Sequence, residues 1–186
     1  GKTTTIKMLS GLILPTSGDI EIEKTDMKKD IFKIKELLNV SPQETAIAPN
    51  LTVKENLEFM AGVYQISNKE KKIDDLIKQF KHEEILNKKA KTLSGGWQRK
   101  VSIALSLIND PKILFLDEPT LGLDVIARKE LWNVIKGLKG KITIILTTHY
   151  MEEAENLSDR IGIMSNGKLV DIGTSNKLIK KTKTKN

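Results

Sequence analysis

Two short, nearly continuous apolar runs constrain the fold of this chain more than any other feature. One covers residues 112–116 (Lys-Ile-Leu-Phe-Leu) and the other residues 142–146 (Ile-Thr-Ile-Ile-Leu), each bounded by polar residues. Such runs are typical of fully buried central strands in a parallel or mixed sheet that helices cover. Residues 19–23 (Asp-Ile-Glu-Ile-Glu) alternate instead, which predicts a half-exposed edge strand. The predicted fold class is therefore an α/β sandwich with a mostly parallel core sheet.

A helical insertion interrupts this pattern. Thr52 followed by Glu55 is a capping box, which predicts a helix that runs through about Tyr64. A second helix is predicted over about residues 68–80. We therefore expect a helical subdomain over about residues 45–110.

An antiparallel hairpin is predicted near the end of the chain. Residues 161–164 and 168–171 flank Asn166-Gly167, a dipeptide that strongly favours a two-residue hairpin turn. Residues 150–157, which precede the hairpin, are predicted to be helical.

The composition fits one globular domain over residues 1–186. The absence of cysteine excludes a disulfide framework and a Cys-ligated zinc site. The longest apolar run, residues 113–116, is far shorter than the roughly 20 residues of a membrane-spanning helix. The chain has no initiator Met and no leader pattern, so we expect neither a signal peptide nor a natural start.

The net charge of +7 is concentrated at the end of the chain. Five lysines and no acidic residue lie in the last ten residues. This basic tail, about residues 177–186, is predicted to be a solvated end, with a phosphate-binding arm as the alternative.

The first residues of the chain resemble the end of a phosphate-binding loop. Gly1-Lys2-Thr3-Thr4 run directly into a helical pattern. In the complete motif the helix start cradles phosphates, the lysine contacts the β and γ phosphates, and the next hydroxyl binds Mg²⁺. The first glycine and the preceding strand of the motif are absent here. Taken alone, the tripeptide therefore leaves a chance match as an open alternative.

Two adjacent carboxylates end the first apolar run. Asp117 and Glu118 are costly to desolvate there unless a cation or a substrate compensates for their charge. Strand alternation sends them to different sides, so they can have different roles. Asp117 is placed to reach Mg²⁺, and Glu118 to orient the water that attacks the γ phosphate. Together with Gly1-Lys2-Thr3, these two residues favour a nucleotide hydrolase.

A Ser-Gly-Gly sequence and a histidine complete the set of candidates. Ser94-Gly95-Gly96 precede a helix predicted from about Trp97 to Ile108. The serine alone indicates a helix cap, but two glycines at a positive helix end also let an anion approach the backbone closely. His149 follows the second apolar run, where a structural histidine is the common case and a ligand-binding one the alternative.

The order and spacing of these motifs resemble the nucleotide-binding domain of ATP-binding cassette (ABC) transporters. The resemblance covers about residues 1–173. Leu-Ser-Gly-Gly at residues 93–96, followed by Leu-Asp-Glu-Pro at 116–119, is specific to that family among phosphate-loop enzymes. It implies a P-loop NTPase sandwich that binds ATP and Mg²⁺ and hydrolyses ATP.

The resemblance also implies a role for each matching residue. Gln43 is similar to the Q-loop glutamine, Asp117 to the Walker B aspartate and His149 to the switch histidine. Asp124 ends residues 121–124, which resemble the D-loop. The implied catalytic residues are Glu118, His149 and Gln43. The implied Mg²⁺ ligands are Thr3, Gln43 and Asp117. The implied ATP-binding residues are Gly1, Lys2, Thr3, Thr4, Ser94, Gly95, Gly96 and Asp124.

The implied partners follow from the way the family works. Its Ser-Gly-Gly element binds the ATP held by the opposite subunit, so a second ABC ATPase domain is implied, in a homo- or heterodimer. A separate membrane-spanning permease is also implied, which would place the domain at the cytoplasmic face of the membrane, with no nucleic acid expected. Residues 50–57 and 147–155 further resemble the branch that drives exporters of drugs, antibiotics or lipids.

The sequence departs from the family pattern in two places. Trp97 stands where the family more often has Gln or Met, and it either alters the subunit contact or packs locally. The chain also begins inside the Walker A motif. The core strands before that motif, and the aromatic residue that stacks on adenine, are therefore expected in a missing N-terminal part.

The alternative function is a soluble ABC ATPase that acts on nucleic acid or ribosomes. Chromosome-maintenance members insert a long coiled coil after the Q-loop, whereas only residues 44–92 lie between Gln43 and Leu93 here. Translation-factor members carry two cassettes in tandem, and no second cassette is visible. A cassette that binds ATP without hydrolysing it is disfavoured because Glu118 and His149 are both present.

Overall fold

A computed structural model describes residues 1–81 and 83–183 of the chain, without the side chains of residues 182 and 183. The helices are α1 (Lys2–Leu9), α2 (Ile31–Leu37), α3 (Val53–Val63), α4 (Lys69–Phe80), α5 (Gly95–Leu105), α6 (Val125–Leu138), α7 (Met151–Leu157) and α8 (Ser175–Lys183). The strands are β1 (Glu21–Ile22), β2 (Thr25–Asp26), β3 (Leu38–Ser41), β4 (Ile113–Asp117), β5 (Thr143–Thr147), β6 (Ile161–Ser165) and β7 (Lys168–Gly173). Two short 3₁₀ helices, Glu83–Ile85 and Ala90–Thr92, lie between α4 and α5.

The main sheet has three parallel strands in the order β3-β4-β5. The central strand, β4, is the predicted apolar run, and Leu114, Phe115 and Leu116 are each at most 1% exposed. The predicted full burial is confirmed for residues 114–116, whereas Lys112 is exposed and Ile113 is half-buried. Because the strands are parallel, their carboxyl ends lie at one edge of the sheet. Ser41, Asp117 and Thr147 are the last residues of these three strands.

The prediction that residues 142–146 are also fully buried is wrong. β5 runs over Thr143–Thr147, and its residues are exposed or half-buried, with Ile145 38% exposed. β5 pairs with β4 on one side only, and no described strand pairs with its other edge. A cavity of about 800 Å³ lies against β5, with α1, β6 and β7 contributing to its lining. Burial of a strand depends on its neighbours, so the apolar run alone predicts it incorrectly.

The edge strand predicted over residues 19–23 is shorter than expected and belongs to no edge of the main sheet. Only Glu21–Ile22 is a strand, and it pairs with β2 in a separate antiparallel hairpin. Glu23 and Lys24 form the turn with positive φ angles of 50° and 60°. Two consecutive left-handed residues are the geometry of a tight hairpin turn, which ends the strand before residue 23.

The helical segment has the predicted helices. The capping box at the start of α3 is confirmed, because Glu55 N donates to Thr52 Oγ1 and Thr52 N donates to Glu55 Oε2. α4 covers Lys69–Phe80, as predicted. α5 begins two residues earlier than predicted, at Gly95, and ends at Leu105. The earlier start follows from Ser94, which caps the helix.

One hydrophobic core joins the helical segment to the sheet. The same cluster of buried side chains contains Leu57 of α3, Ile77 of α4, Leu114 of β4 and Leu131 of α6. The helical segment and the central strand therefore pack in one continuous interior.

The last part of the chain contains the predicted hairpin. β6 and β7 pair antiparallel around Asn166 and Gly167, whose φ angles of 48° and 76° fit a two-residue hairpin turn. α7, over Met151–Leu157, is also as predicted.

The basic tail differs from the predicted solvated end over its described part. Ser175–Lys183 form α8, and Leu178 is buried in a cluster with Ala154 and Ile161. Lys181 pairs with Asp171 of β7 at 2.8 Å. The amphipathic spacing of Leu178 among lysines lets the helix dock while its charges stay in solvent. Residues 184–186 of the predicted tail lie outside the described residues. None of the helices within residues 1–81 and 83–183 combines the length and apolarity that a membrane crossing requires.

Candidate active site

Asp117 is held at the point where β4, β5 and α1 meet. It is paired in register with Thr147, and its side chain accepts a hydrogen bond from the Thr147 hydroxyl. Thr3 Oγ1, in the first turn of α1, donates to the same Oδ1 atom at 3.3 Å. Asp117 is only 4% exposed, so two hydroxyl donors compensate in part for the desolvation of its carboxylate. The structure thus brings Thr3 and Asp117 together, as predicted for two Mg²⁺ ligands.

Lys2 lies over the ends of β4 and β5. Its Nζ donates to the Thr148 carbonyl at 2.8 Å and is 3.2 Å from Glu118 Oε1. Gly1 is the N-cap of α1, and no side chain caps this helix start. The N–H groups of a helix's first turn have no partner within the helix, so an anion can bind them. Thr4, also predicted to bind ATP, is an exposed residue of the same first turn.

Glu118 lies between Lys2 and His149. Its second oxygen, Oε2, is 2.8 Å from His149 Nδ1, and its side chain is 12% exposed. The carboxylate is therefore fixed at both oxygens by groups that reach it from α1 and from the end of β5. This places all three predicted residues in one cluster.

The backbone of Glu118 explains why its side chain has different partners from the side chain of Asp117. β4 ends at Asp117, and Glu118 has a φ of +49°, in the left-handed region that non-glycine residues rarely adopt. Glu118 N donates to both the carbonyl and the hydroxyl oxygen of Thr147, each at 3.1 Å. The two carboxylates do have separate partners, but a left-handed turn separates them rather than strand alternation.

Gln43 lies outside this cluster of side chains. It is an exposed residue two positions after the end of β3, and its carbonyl accepts a hydrogen bond of 3.1 Å from Arg99 Nη1. The strand that precedes it brings it to the edge of the sheet where Asp117 lies. Its contact with Mg²⁺ stays a prediction.

The predicted residues of the Ser-Gly-Gly element form a second group. Ser94 caps α5 by accepting from Trp97 N at 3.5 Å, and Ser94 and Gly95 are both exposed. Asp124 caps α6 by accepting from Ile126 N and Ala127 N, each at 2.9 Å. Among the described residues, no hydrogen bond or ion pair joins this group to the cluster around Glu118.

The starts of α5 and α6 are in close contact. A Cβ added to Gly96 would lie 3.0 Å from the Cβ of Ala127, whereas one added to Gly95 would lie 3.8 Å from Leu123. Gly96 therefore has a packing role in addition to any role in anion binding. This role is not evident from the sequence, because Gly96 and Ala127 are distant along the chain.

Trp97 packs locally. Its half-buried ring lies against the main core, and Lys100 Nζ is 4.2 Å from the ring centroid. Lys100 also pairs with Glu130 of α6 at 2.7 Å. These contacts fit local packing, and an effect of Trp97 on a subunit contact stays a prediction.

Arg99 also contributes to the candidate active site, although it is not among the residues that the sequence motifs identify. It lies in α5, is 4% exposed, and directs its guanidinium at the segments that follow β3 and β4. Burial lowers the pKa of Arg99 to about 10, against the opposing effects of Asp117 and Glu153. The group therefore remains charged at neutral pH. A signal was available in the sequence, since the helical spacing of Arg99 with Ser102 and Ile103 places a charge on a face that also carries core residues.

The donor set fits a magnesium nucleotide. Mg²⁺ prefers oxygen ligands and is commonly held by one or two carboxylates together with substrate phosphates. Thr3 and Asp117 supply a hydroxyl and a carboxylate, next to the ammonium of Lys2 and the start of α1. Within the described part of the chain, no cluster of three or more His, Cys, Asp or Glu forms a metal site by itself.

Comparison with known proteins decides the family. The family model described as "ABC transporter" matches residues 1–121, more than half of the chain. The chain belongs to the ABC transporter family. The human "Phospholipid-transporting ATPase ABCA3" is 42% identical over 179 residues, which are 94% of this chain and 10% of that protein. The chain thus spans about a tenth of the length of this curated relative of the ABC transporter family.

Solved structures confirm the fold class. The "ATP binding subunit of ABC transporter" has a TM-score of 0.83 and 29% identity, with 98% of this chain and 78% of that one covered. A dimeric ATP-binding cassette in a post-hydrolysis state, bound to ADP and Pi, has a TM-score of 0.80 and 26% identity, with 94% and 80% covered. The chain has the fold of an ABC nucleotide-binding domain, and its relatives favour the ATP-binding part of a transporter over a soluble ABC ATPase that acts on nucleic acid or ribosomes.

Proposed function

We propose that this domain hydrolyses ATP at the carboxyl ends of β4 and β5 and that the reaction powers transport through a membrane-spanning permease. The observation that carries the proposal is the placement of Glu118. Its carboxylate is held between Lys2 and His149 at 3.2 and 2.8 Å, beside the Thr3–Asp117 pair. A carboxylate fixed next to a cation and a helix start is suited to act on a water that attacks a bound phosphate.

The phosphates would bind at the start of α1. The free N–H groups of its first turn, from Gly1 to Thr4, favour negative charge, and Lys2 adds a full positive charge. Lys2 now pairs with Glu118, so binding of a phosphate would exchange one anionic partner for another. Thr3 and Asp117 would hold Mg²⁺, with Gln43 as a further ligand. The ion would neutralise charge that develops on the phosphates.

Glu118 and His149 would have separate tasks. Glu118 would accept a hydrogen bond from the attacking water and polarise it. His149 would keep Glu118 in place through Nδ1, which leaves the other side of its ring for the γ phosphate.

A second ABC domain would complete the site. Ser94, Gly95 and Asp124 are exposed and have no hydrogen bond or ion pair to the cluster around Glu118 within the described residues. The start of α5, with its neutral Ser94 cap and two glycines, is a surface that can take an anion from outside the chain, whereas the Asp124 carboxylate already binds the N–H groups at the start of α6. The related cassette with ADP and Pi is dimeric, which supports the proposal that this surface faces the nucleotide of a partner.

The transported substrate class would be an amphiphilic molecule such as a lipid, and the direction export. The name of the human relative, a phospholipid-transporting ATPase, supports a lipid substrate, and export rests on the resemblance of residues 50–57 and 147–155 to exporter-type domains. The domain would then lie at the cytoplasmic face of the membrane, with about residues 45–110 as its helical subdomain.

The Glu118→Gln variant tests the proposed hydrolysis. In the complete polypeptide that contains residues 1–186, the substitution keeps the shape of the side chain and removes its basicity. We expect ATP turnover to fall by about 10²- to 10⁴-fold, the range for loss of a general base. ATP binding should persist, and a dimer should accumulate with ATP and Mg²⁺. Phosphate release and size-exclusion chromatography measure these effects, and unchanged turnover would remove Glu118 from its role.

A further inference from the structure

The guanidinium of Arg99 joins two segments of the active site that are far apart in the sequence. Arg99 is in α5, one turn after the Ser94 cap, and is almost completely buried. Its Nε donates to the carbonyl of Pro119, after β4, at 2.9 Å. Its Nη1 donates to the carbonyls of Pro42 and, at 3.1 Å, Gln43, both after β3. Its Nη2 donates at the end of β4 to the carbonyls of Asp117 at 2.8 Å and Glu118 at 3.3 Å.

All of these acceptors are main-chain carbonyls. A buried charge is costly, and proteins usually compensate for it with a bonded carboxylate. Arg99 instead uses the planar fork of its N–H groups to satisfy carbonyls where the strands end and the sheet no longer provides partners. The geometry is suited to fixing the paths of two loops relative to one helix.

One of these loops carries the reacting carboxylate. Glu118 is held in its left-handed conformation from both sides, since Thr147 binds its N–H and Arg99 binds its carbonyl. A rare backbone conformation persists only where the surroundings fix it. The direction of the Glu118 side chain depends on this backbone, because Cβ follows φ and ψ.

We propose that Arg99 is a positioning residue, which aligns Glu118 and the Gln43 segment for hydrolysis and ties both to the start of α5. The proposal rests on the proposed function, in which Ser94 and Gly95 face the nucleotide of a partner domain. A shift of the start of α5 moves Arg99 with it, because Arg99 lies on the same helix. Both loops then move together. Binding at the surface around Ser94 is thereby transmitted to the water-activating group within the same chain.

The Arg99→Lys variant separates positioning from charge. Lysine keeps the positive charge but offers its donors from one atom, which cannot bridge two segments. In the complete polypeptide that contains residues 1–186, we expect kcat to fall by about tenfold or more, as for a small misplacement of a reacting group. KM for MgATP should change by less than about twofold, since Lys2, Thr3 and the start of α1 remain intact. Arg160→Lys, the same substitution at an exposed position, is the matched control and should keep wild-type kcat.

Hydrogen–deuterium exchange without nucleotide provides a readout that does not depend on turnover. In Arg99→Lys, exchange should rise selectively in residues 42–45 and 117–121, while residues 51–64 stay as in the wild type. Arg99→Met, which loses both the charge and the N–H donors of the guanidinium, should show a larger increase in the same segments. If the Arg99→Met variant does not fold, the exchange of Arg99→Lys alone decides whether Arg99 positions these segments.

The outcomes distinguish the two proposals. If wild-type protein hydrolyses ATP and Arg99→Lys retains its kcat, or if exchange in the two segments is unchanged, the positioning role is wrong. A parallel change of kcat and KM with faster exchange throughout the chain would show a purely structural role and also overturn it. If the wild type does not hydrolyse ATP, the proposed function fails, whereas the exchange pattern still decides whether Arg99 fixes the two segments.

Discussion

The two groups of candidate residues are built in opposite ways. Lys2, Thr3, Asp117, Glu118 and His149 come from α1 and from the ends of β4 and β5, and hydrogen bonds or ion pairs link them around the buried Asp117 and the half-buried Glu118. The second group consists of Ser94, Gly95, Gly96 and Asp124. Their polar contacts are local caps of their own helices, and most of them are exposed.

This difference indicates how the site is divided between chains. The cluster around Glu118 has its charges paired within the chain, so it can be organised before a nucleotide arrives. In the Ser94 group, the start of α5 has a neutral serine cap and two glycines, which suits an anion supplied from outside, whereas Asp124 caps α6 with its own negative charge. Substitutions in the first group should therefore impair the nucleotide site of the domain itself. Substitutions in the second group should impair the site that the domain completes for a partner.

Lys2→Ala and Gly95→Asp should give contrasting defects, and they test this difference most strongly. Lys2→Ala removes a charge-assisted contact to phosphate and should lower the ATP affinity of the domain by about 10- to 100-fold. Gly95→Asp fits the fold, since an added Cβ meets only Leu123 at 3.8 Å, but it places a negative charge where a partner's phosphate would bind. It should leave ATP affinity within about twofold and lower turnover by about 100-fold.

Equilibrium binding of a fluorescent ATP analogue and a steady-state ATPase assay measure the two effects separately. Gly95→Ala is the control, because it adds the same Cβ without the charge. If Gly95→Asp lost ATP affinity as Lys2→Ala does, the division of the site between two chains would be contradicted.

Gly96→Ala tests whether packing alone requires this glycine. The added Cβ would lie 3.0 Å from the Cβ of Ala127, and we expect a loss of about 1–3 kcal/mol in the free energy of unfolding, as for other overpacked sites. Adding Ala127→Gly should restore most of the stability, which urea denaturation can show. Turnover that stays low in the double variant would assign Gly96 a second role at the nucleotide.

Thr52→Ala gives the smallest expected effect and lies away from both groups. Loss of the cap of α3 should reduce the free energy of unfolding by about 1 kcal/mol, without a change in turnover per folded molecule. Hydrogen bonds from the Thr52 N–H and hydroxyl lower the pKa of Glu55. The hydrogen bonds that Glu55 accepts therefore contribute their full stability above the ordinary glutamate pKa. This contribution is lost as the pH falls through the lowered pKa of Glu55. Urea denaturation at two pH values measures both effects, and reduced turnover would contradict the assignment.

Local signals made much of the fold predictable. The Thr52–Glu55 capping box, the Asn166-Gly167 turn and the buried run before Asp117 each depend on a few neighbouring residues, and the structure has all three. β3 was missed because Leu-Asn-Val-Ser at residues 38–41 is half polar and short. Its pairing with β4, which is distant in sequence, stabilises it.

The rest of the structure depends on contacts between distant residues. Trp132 of α6 donates to Glu153 of α7 at 3.1 Å, and Glu153 is fully buried, although a glutamate in a short acidic helix is expected at the surface. The carbonyl partners of Arg99 are likewise main-chain atoms that no side-chain pattern indicates. For the site, the motifs identified Lys2, Thr3, Asp117, Glu118 and His149, which the structure brings together. They did not indicate that Thr147 holds Asp117.

The one-sided pairing of β5 has a consequence for handling the protein. No strand within the described residues pairs with the outer edge of β5, and such an edge, with apolar side chains such as Ile145, is a template on which another chain can add a strand. Thr143–Thr147 contains no charge and no proline to oppose this addition, unlike the guarded edges of many soluble proteins. Preparations of residues 1–186 alone should therefore aggregate through β5, and the Ile145→Lys substitution should improve their solubility.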